Sequence, residues 1–362
     1  MKLSNFTKGR DNNFNLIRIL AALSVLIYHS CLLTATQDPV LGRLGLTLGS
    51  IGVDIFFIIS GFLVTASILN RQSVIEFFWA RVLRIFPALL IMLLLTVFVL
   101  GSFFTSLPKI TYLTQPMTIN YFLKGATLIT GVDYILPGVF TGNRYAYYFN
   151  GSLWSLPLEI RLYLALAVIW VVVRAIKRSS LRLFQIAIVI NFVAAFVVVA
   201  LNNFEMHHIF PQRAHLMFFY GAAFYILKEH ITLSRWCFWL LCFALLAAAI
   251  TSKYVFVITY VLIVPYIVFY LAYIPSGFIR KYNQVGDYSY GVYIYAFPIQ
   301  QSVEALVPGL SALSMLWISA SITIFVAALS WHLLEQRALG LKVLYVGHTK
   351  NTLSRFFPYH VK

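Results

Sequence analysis

What most constrains this chain is the recurrence of long runs with no charged residue, such as 85–104 and 254–279. A helix rising about 1.5 Å per residue needs about 20 residues to cross a hydrocarbon core about 30 Å thick, and runs of that length recur along the chain. Composition agrees: 61% of the 362 residues are hydrophobic and 10% are charged, against roughly 45–50% and about 25% in soluble domains. The chain therefore reads as an all-α polytopic membrane protein, and a soluble globular fold is excluded. Windows of ~19 residues place ten spans near 15–34, 46–69, 78–101, 151–174, 183–201, 213–228, 236–251, 254–273, 286–306 and 312–333.

With both termini cytoplasmic, nineteen Lys and Arg fall in inner loops and tails, against six (Arg43, Lys109, Lys124, Arg144, Arg213 and Lys253) in outer ones. That asymmetry is the positive-inside pattern. The net charge of +16 is thus topological, and its scatter, without a recognition module, excludes nucleic acid as a partner. Cys31, Cys237 and Cys242 lie in apolar runs without CxxC spacing and read as small core residues; no disulfide framework or metal site is expected. The first run follows Lys2, Lys8 and Arg10 as a signal peptide would, but it lacks a small-residue cleavage site and contains Arg18, so it reads as a retained helix. The expected organisation is one transmembrane domain over 1–345 and a short basic cytoplasmic tail over 346–362.

Residues 102–150 break the short-loop pattern. They hold Pro108, Pro116, Pro137, Gly131, Gly138 and Gly142 and the aromatic cluster YAYYF, Tyr145–Phe149. A loop of this length is uncommon without a role. It reads either as an interfacial aromatic belt or as an outer lid whose Tyr145, Tyr147 and Tyr148 stack on a ligand.

Charged groups inside the spans carry the functional signal. In NLIRILAALSVLIYHS, Arg18 and His29 are eleven residues apart, close to a whole number of turns, so they share one helix face about 16 Å apart along the axis. Taken singly, Arg18 could snorkel to the headgroups and His29 could bond a neighbouring helix. Asp54 in GSIGVDIFFIISGF and Glu159 in GSLWSLPLEIRLYL are expected at the depth of His29, and intramembrane ionisable groups usually face a bundle interior and mark a site. Ser155 lies one turn before Glu159 on the same face, Ser60 is available on the second span, and Arg161 points away from Glu159. At the inner edge, Arg81 and Arg84 in FFWARVLRIFPAL join Arg18 at one depth. Arginine suits phosphate because its planar fork bonds bidentately and keeps its charge; alone, the pair would be an ordinary topology anchor.

These blocks, with the late DYSYGVYIYAFPI, resemble in order the acyltransferase 3 family of membrane acyltransferases. The resemblance implies a ten-helix bundle in the bacterial cytoplasmic (inner) membrane. Such a bundle moves an acyl group, usually acetyl from acetyl-CoA, onto hydroxyls of carbohydrates such as O-antigen or exopolysaccharide. By the same resemblance Arg18 and His29 correspond to the family's arginine and histidine, Arg81 and Arg84 to its paired arginines, and Glu159 to an acidic position usually doubled but here followed by Ile160. The chain ends soon after SWHLLEQRALGLK without a hydrolase-like domain, which favours direct transfer to the acceptor.

The expected chemistry is attack of a sugar hydroxyl on a thioester. His29 would act as base, with Asp54 or Glu159 orienting its ring as the third member of a triad does. Ser60, Ser155 or a backbone NH would donate to the oxyanion. Arg18, Arg81 and Arg84 would hold the phosphates of acetyl-CoA, the only cofactor expected. Trp154, Ser155, Tyr145 and Tyr148 would meet a carbohydrate acceptor, lipid-linked or free. The competing class is a transporter or flippase relaying protons through His29, Asp54 and Glu159, which would show inverted repeats; none is evident.

Overall fold

A computed structural model of the chain describes residues 1–9, 11–38, 44–176, 180–202 and 210–356. Arg10, Arg43, Lys177, Arg178 and Lys362, which entered the charge asymmetry, lie outside the described residues, as does the end of the expected tail. Among the described residues there is no strand beyond isolated bridges. Long helices stand at all ten expected places: α1 (Phe14–Leu33), α2 (Leu48–Arg71), α3 (Val74–Leu94), α4 (Ser155–Ile176), α5 (Ser180–Leu201), α6 (Phe210–Ile226), α7 (Arg235–Thr251), α8 (Lys253–Tyr273), α9 (Ser289–Leu306) and α10 (Ala312–Ser330). A further helix, α11 (Lys342–Phe356), occupies much of the segment expected as a tail.

Among the described residues, seven helical stretches are long and apolar enough to cross a membrane: those containing α1, α2, α3, α4, α5, α8 and α10. The other three helices are α6, α7 and α9. The first two have 17 residues each. In α9 the polar side chains Gln300, Gln301 and Glu304 are buried against protein, which lowers its hydropathy without exposing it to lipid. Large apolar side chains such as Leu164, Ile190, Leu240 and Phe325 face outward, as a lipid-facing surface requires.

Local chemistry starts the helices that carry the site. Thr47 and Ser50 form a reciprocal capping box at the head of α2, satisfying amides that would otherwise be orphaned. The strongest packing joins α2 to α6, where a β-carbon on Gly61 would fall 1.9 Å from the Phe218 carbonyl oxygen and one on Gly221 2.0 Å from that of Ile58. Two glycines thus let the backbones touch. Helix α1 lies against α2 and α9, and Gly52 admits the Ala21 carbonyl and Ser24 hydroxyl.

Residues 102–150 form a docked cap. Lys109–Thr114 and Pro116–Thr127 are helical, and Tyr112 donates to the Val97 carbonyl at 3.1 Å inside the π turn Leu95–Gly101 that extends α3. The buried Gln301 side chain donates to the carbonyls of Tyr145 (2.8 Å) and Tyr148 (2.6 Å). Asn143 donates back to Gln301, and Arg144 donates to the Thr34 carbonyl at 2.8 Å. The aromatic cluster is thereby pinned to α9 and to the end of α1.

Candidate functional site

Two cavities lie along the polar face of α1. The larger, about 680 Å³, is lined by Arg18, Arg71, Arg81, Arg84 and Lys342, with Glu159 as its carboxylate. Its cations are not equivalent. Asp287 accepts from Arg18 at 3.0 Å and from Arg84 at 2.6 Å. Arg84 also donates to Glu335 at 3.2 Å, a residue carried by the π turn Trp331–Glu335 and held by Ser330 at 3.0 Å. Arg81 forms no ion pair among the described residues, and its buried Nε has no hydrogen-bond partner; its guanidinium lies over the rings of Phe77 and Tyr163. An unsatisfied buried donor is costly, and among the described residues Arg81 is the one cation lining this cavity that has no ion pair.

Glu159 belongs to the same cavity. It accepts from Ser60 at 3.1 Å and from the Tyr163 hydroxyl, which is itself 2.6 Å from Ser60. The expectation that it stands beside His29 is therefore corrected: depth along a helix does not fix the facing side, and the inward side of α4 at this level meets Ser60 on α2. Ser155, one turn earlier, also lines this cavity, as the spacing indicates.

The smaller cavity, about 300 Å³, is lined by His29, Tyr28, Tyr134, Tyr145, Tyr148, Trp154 and Phe297, among others. His29 is 7% exposed and meets Phe297 edge-on with ring centroids 4.9 Å apart. Its Nδ1 is buried without a partner, and no hydrogen bond to either ring nitrogen occurs among the described residues. Tyr145 and Tyr148 line this cavity; Tyr147 is 54% exposed and is not part of the lining.

Asp54 reaches neither cavity. Its carboxylate takes both Oδ atoms to Arg213 of α6, Nε lying 2.8 Å from Oδ1 and 3.0 Å from Oδ2, and accepts from Tyr260 of α8 at 2.9 Å. The expectation that Asp54 orients His29 is corrected, because the guanidinium and phenol already fill its lone-pair directions. Asp54 is a brace across α2, α6 and α8.

The two cavities share Val53 and Tyr293. The Tyr293 hydroxyl donates to the Ser152 carbonyl at 2.8 Å and lies 2.6 Å from Ser155 Oγ. Tyr293, Asp287, Glu335, Arg71 and Lys342 were not singled out from the sequence. Tyr293 and Asp287 stand in the quoted block DYSYGVYIYAFPI, but an apolar helix start gives no sign of which residue faces a cavity. Arg71 and Lys342 resemble ordinary loop cations.

Apolar helices long enough for a membrane thus enclose a cationic chamber and, adjoining it, an aromatic chamber with one histidine, which is the build of an integral membrane protein with two neighbouring sites. A family model described as an acyltransferase domain, Acyl_transf_3, matches residues 11–335, and the chain belongs to this acyltransferase 3 family. It is 32% identical over 351 residues to an O-acetyl transferase of Shigella phage Sf6, covering 91% of this chain and 96% of that protein. It is also 28% identical over 366 residues to nodulation protein 10 of Rhizobium leguminosarum bv. viciae, covering 93% and 95%. No solved structure matches. The protein is a membrane-embedded O-acetyltransferase.

Proposed function

We propose that the enzyme takes acetyl-CoA from the cytosol into the cavity of Arg18, Arg81 and Arg84 and passes its acetyl group to a carbohydrate hydroxyl held beside His29 on the outer side. The observation that carries this is the division of one helix face: α1 presents Arg18 to the cationic cavity and His29 to the aromatic one, with about 16 Å between them. An extended pantetheine arm would span that distance and bring its thioester to the wall shared by Val53 and Tyr293.

At that wall His29 accepts the proton of the attacking hydroxyl as the oxygen bonds to the thioester carbon. As the carbon–sulfur bond breaks, the imidazolium returns the proton to the departing thiolate. With no carboxylate on its ring, His29 works as a lone base rather than as a triad member, a role worth roughly 10²–10⁴-fold in rate. Ser155, which gives its proton to the Tyr293 oxygen because the phenol proton goes to the Ser152 carbonyl, would have to turn that hydroxyl away from Tyr293 to donate to an oxyanion at the same place. Tyr145, Tyr148 and Trp154 offer flat faces to a sugar ring. The position of the two cavities, and the departure of Asp54 from both, supports transfer over the proton relay.

The test is reconstituted protein supplied with acetyl-labelled acetyl-CoA and candidate surface glycans. Wild type is expected to label the glycan and His29→Ala to lose labelling by at least about a hundredfold at equal protein level. Labelling that persists in His29→Ala removes the histidine from the chemistry, and glycan movement without labelling would favour transport.

A further inference from the structure

Three cations meet one carboxylate at the mouth of the larger cavity. Arg71 ends α2, Gln72 turns the chain with a positive φ of 52°, and Ser73 caps α3 by accepting from the Glu76 amide at 3.3 Å. This short turn sets Glu76 3.6 Å from Arg71. Helix α11 brings Lys342 to 4.0 Å and Lys350 to 3.5 Å of the same carboxylate. It is fixed on α3 by the stacking of Tyr345 on Trp79 at 4.7 Å and by Trp79 Nε1 donating to Thr349 at 2.9 Å. Arg71 and Lys342 both line the cavity. One carboxylate shared by three cations leaves a positive excess, and the Lys342 side chain is only 17% exposed, an ammonium largely withdrawn from water with its partner at the limit of pairing.

The cavity thus has an ordered charge profile. Arg18 and Arg84 are compensated by Asp287 and Glu335, and Arg84 lies well inside α3 (Val74–Leu94). Arg81, one turn nearer the mouth on α3, is open, and Arg71 with Lys342 is under-compensated at the rim. We infer that Arg71 and Lys342 form a second, separate phosphate subsite that holds the 3′-phosphomonoester of coenzyme A, while Arg81 faces the diphosphate. This rests on the reading of acetyl-CoA as the donor. Coenzyme A carries its phosphates in two places, a diphosphate next to the pantetheine arm and a phosphomonoester on the ribose. An arm reaching towards Tyr293 leaves the diphosphate at the level of Arg81 and the ribose phosphate at the rim. A phosphomonoester has a second pKa near 6 and so is close to a dianion at neutral pH, matching a rim built from a forked guanidinium and a point-charge ammonium.

The experiment measures calorimetric binding of coenzyme A and of 3′-dephospho-coenzyme A to the purified full chain. Wild type is expected to prefer coenzyme A by about tenfold or more, the size of one charge-assisted contact. Lys342→Met and Arg71→Gln are expected to bring that ratio close to one. Glu76→Gln, which frees both cations from their carboxylate, is expected to raise it, and a gain cannot come from misfolding. Equal binding of the two nucleotides by wild type, as when the rim holds an anionic lipid headgroup instead, overturns the subsite but leaves the donor reading standing. A ratio unmoved by Glu76→Gln also overturns it. Failure of wild type to bind either nucleotide overturns the donor reading and the subsite with it.

Discussion

At the residue scale, burial and partner decide what each intramembrane charge does. Asp54, Glu159 and His29 are similar as sequence signals, yet one is locked to Arg213, one is bonded to hydroxyls, and one has no bond to its ring. The difference was illegible because pairing is set by tertiary contact: Arg213 lies 159 residues from Asp54 and reads as an outer-loop cation. Breaking a buried pair strands a charge, so Asp54→Ala is expected to cost about 3–5 kcal/mol of stability, and the double replacement Asp54→Leu with Arg213→Met to recover most of it. Thermal unfolding in detergent checks both. A stable but inactive Asp54→Ala protein would instead return Asp54 to the catalytic site.

At the element scale, hydropathy located the helices because a helix in lipid must satisfy its own backbone: a helix stands at each of the ten expected places, and seven stretches among the described residues are long and apolar enough to cross a membrane. How they meet was not legible. The α2–α6 crossing depends on Gly61 and Gly221, whose absent side chains give no periodic signal, and on it hang both the Asp54–Arg213 brace and the wall residue Val53. Gly221→Ala puts a methyl group against the Ile58 carbonyl, a contact relieved only by moving two backbones apart. The expected cost is about 1–3 kcal/mol or more, read as a lowered unfolding temperature. Gly142, beside which nothing lies within 4 Å, should accept the same change with little loss. If Gly221→Ala melts like wild type, the close crossing is not what holds α2 in place.

At the scale of the whole molecule, the eleven-residue spacing put Arg18 and His29 on one face of α1, since a continuous helix leaves the two residues no freedom to face different ways, and each lines one of the two cavities. What the spacing could not report is the wall between their cavities, made by side chains from α2 and α9 that are distant in the chain. If donor and acceptor meet there, occupying the wall should separate binding from transfer. Val53→Phe adds bulk where the cavities join, far from the rim that holds the nucleotide. The variant is expected to bind coenzyme A within about twofold of wild type, less than 0.5 kcal/mol, while losing acetyl transfer by about a hundredfold or more, as misplacement at a reacting centre does. Calorimetry and glycan labelling on the same preparation read the two effects. Transfer that survives with wild-type kcat would mean that the acetyl group does not pass between Val53 and Tyr293, and that each cavity serves a separate ligand.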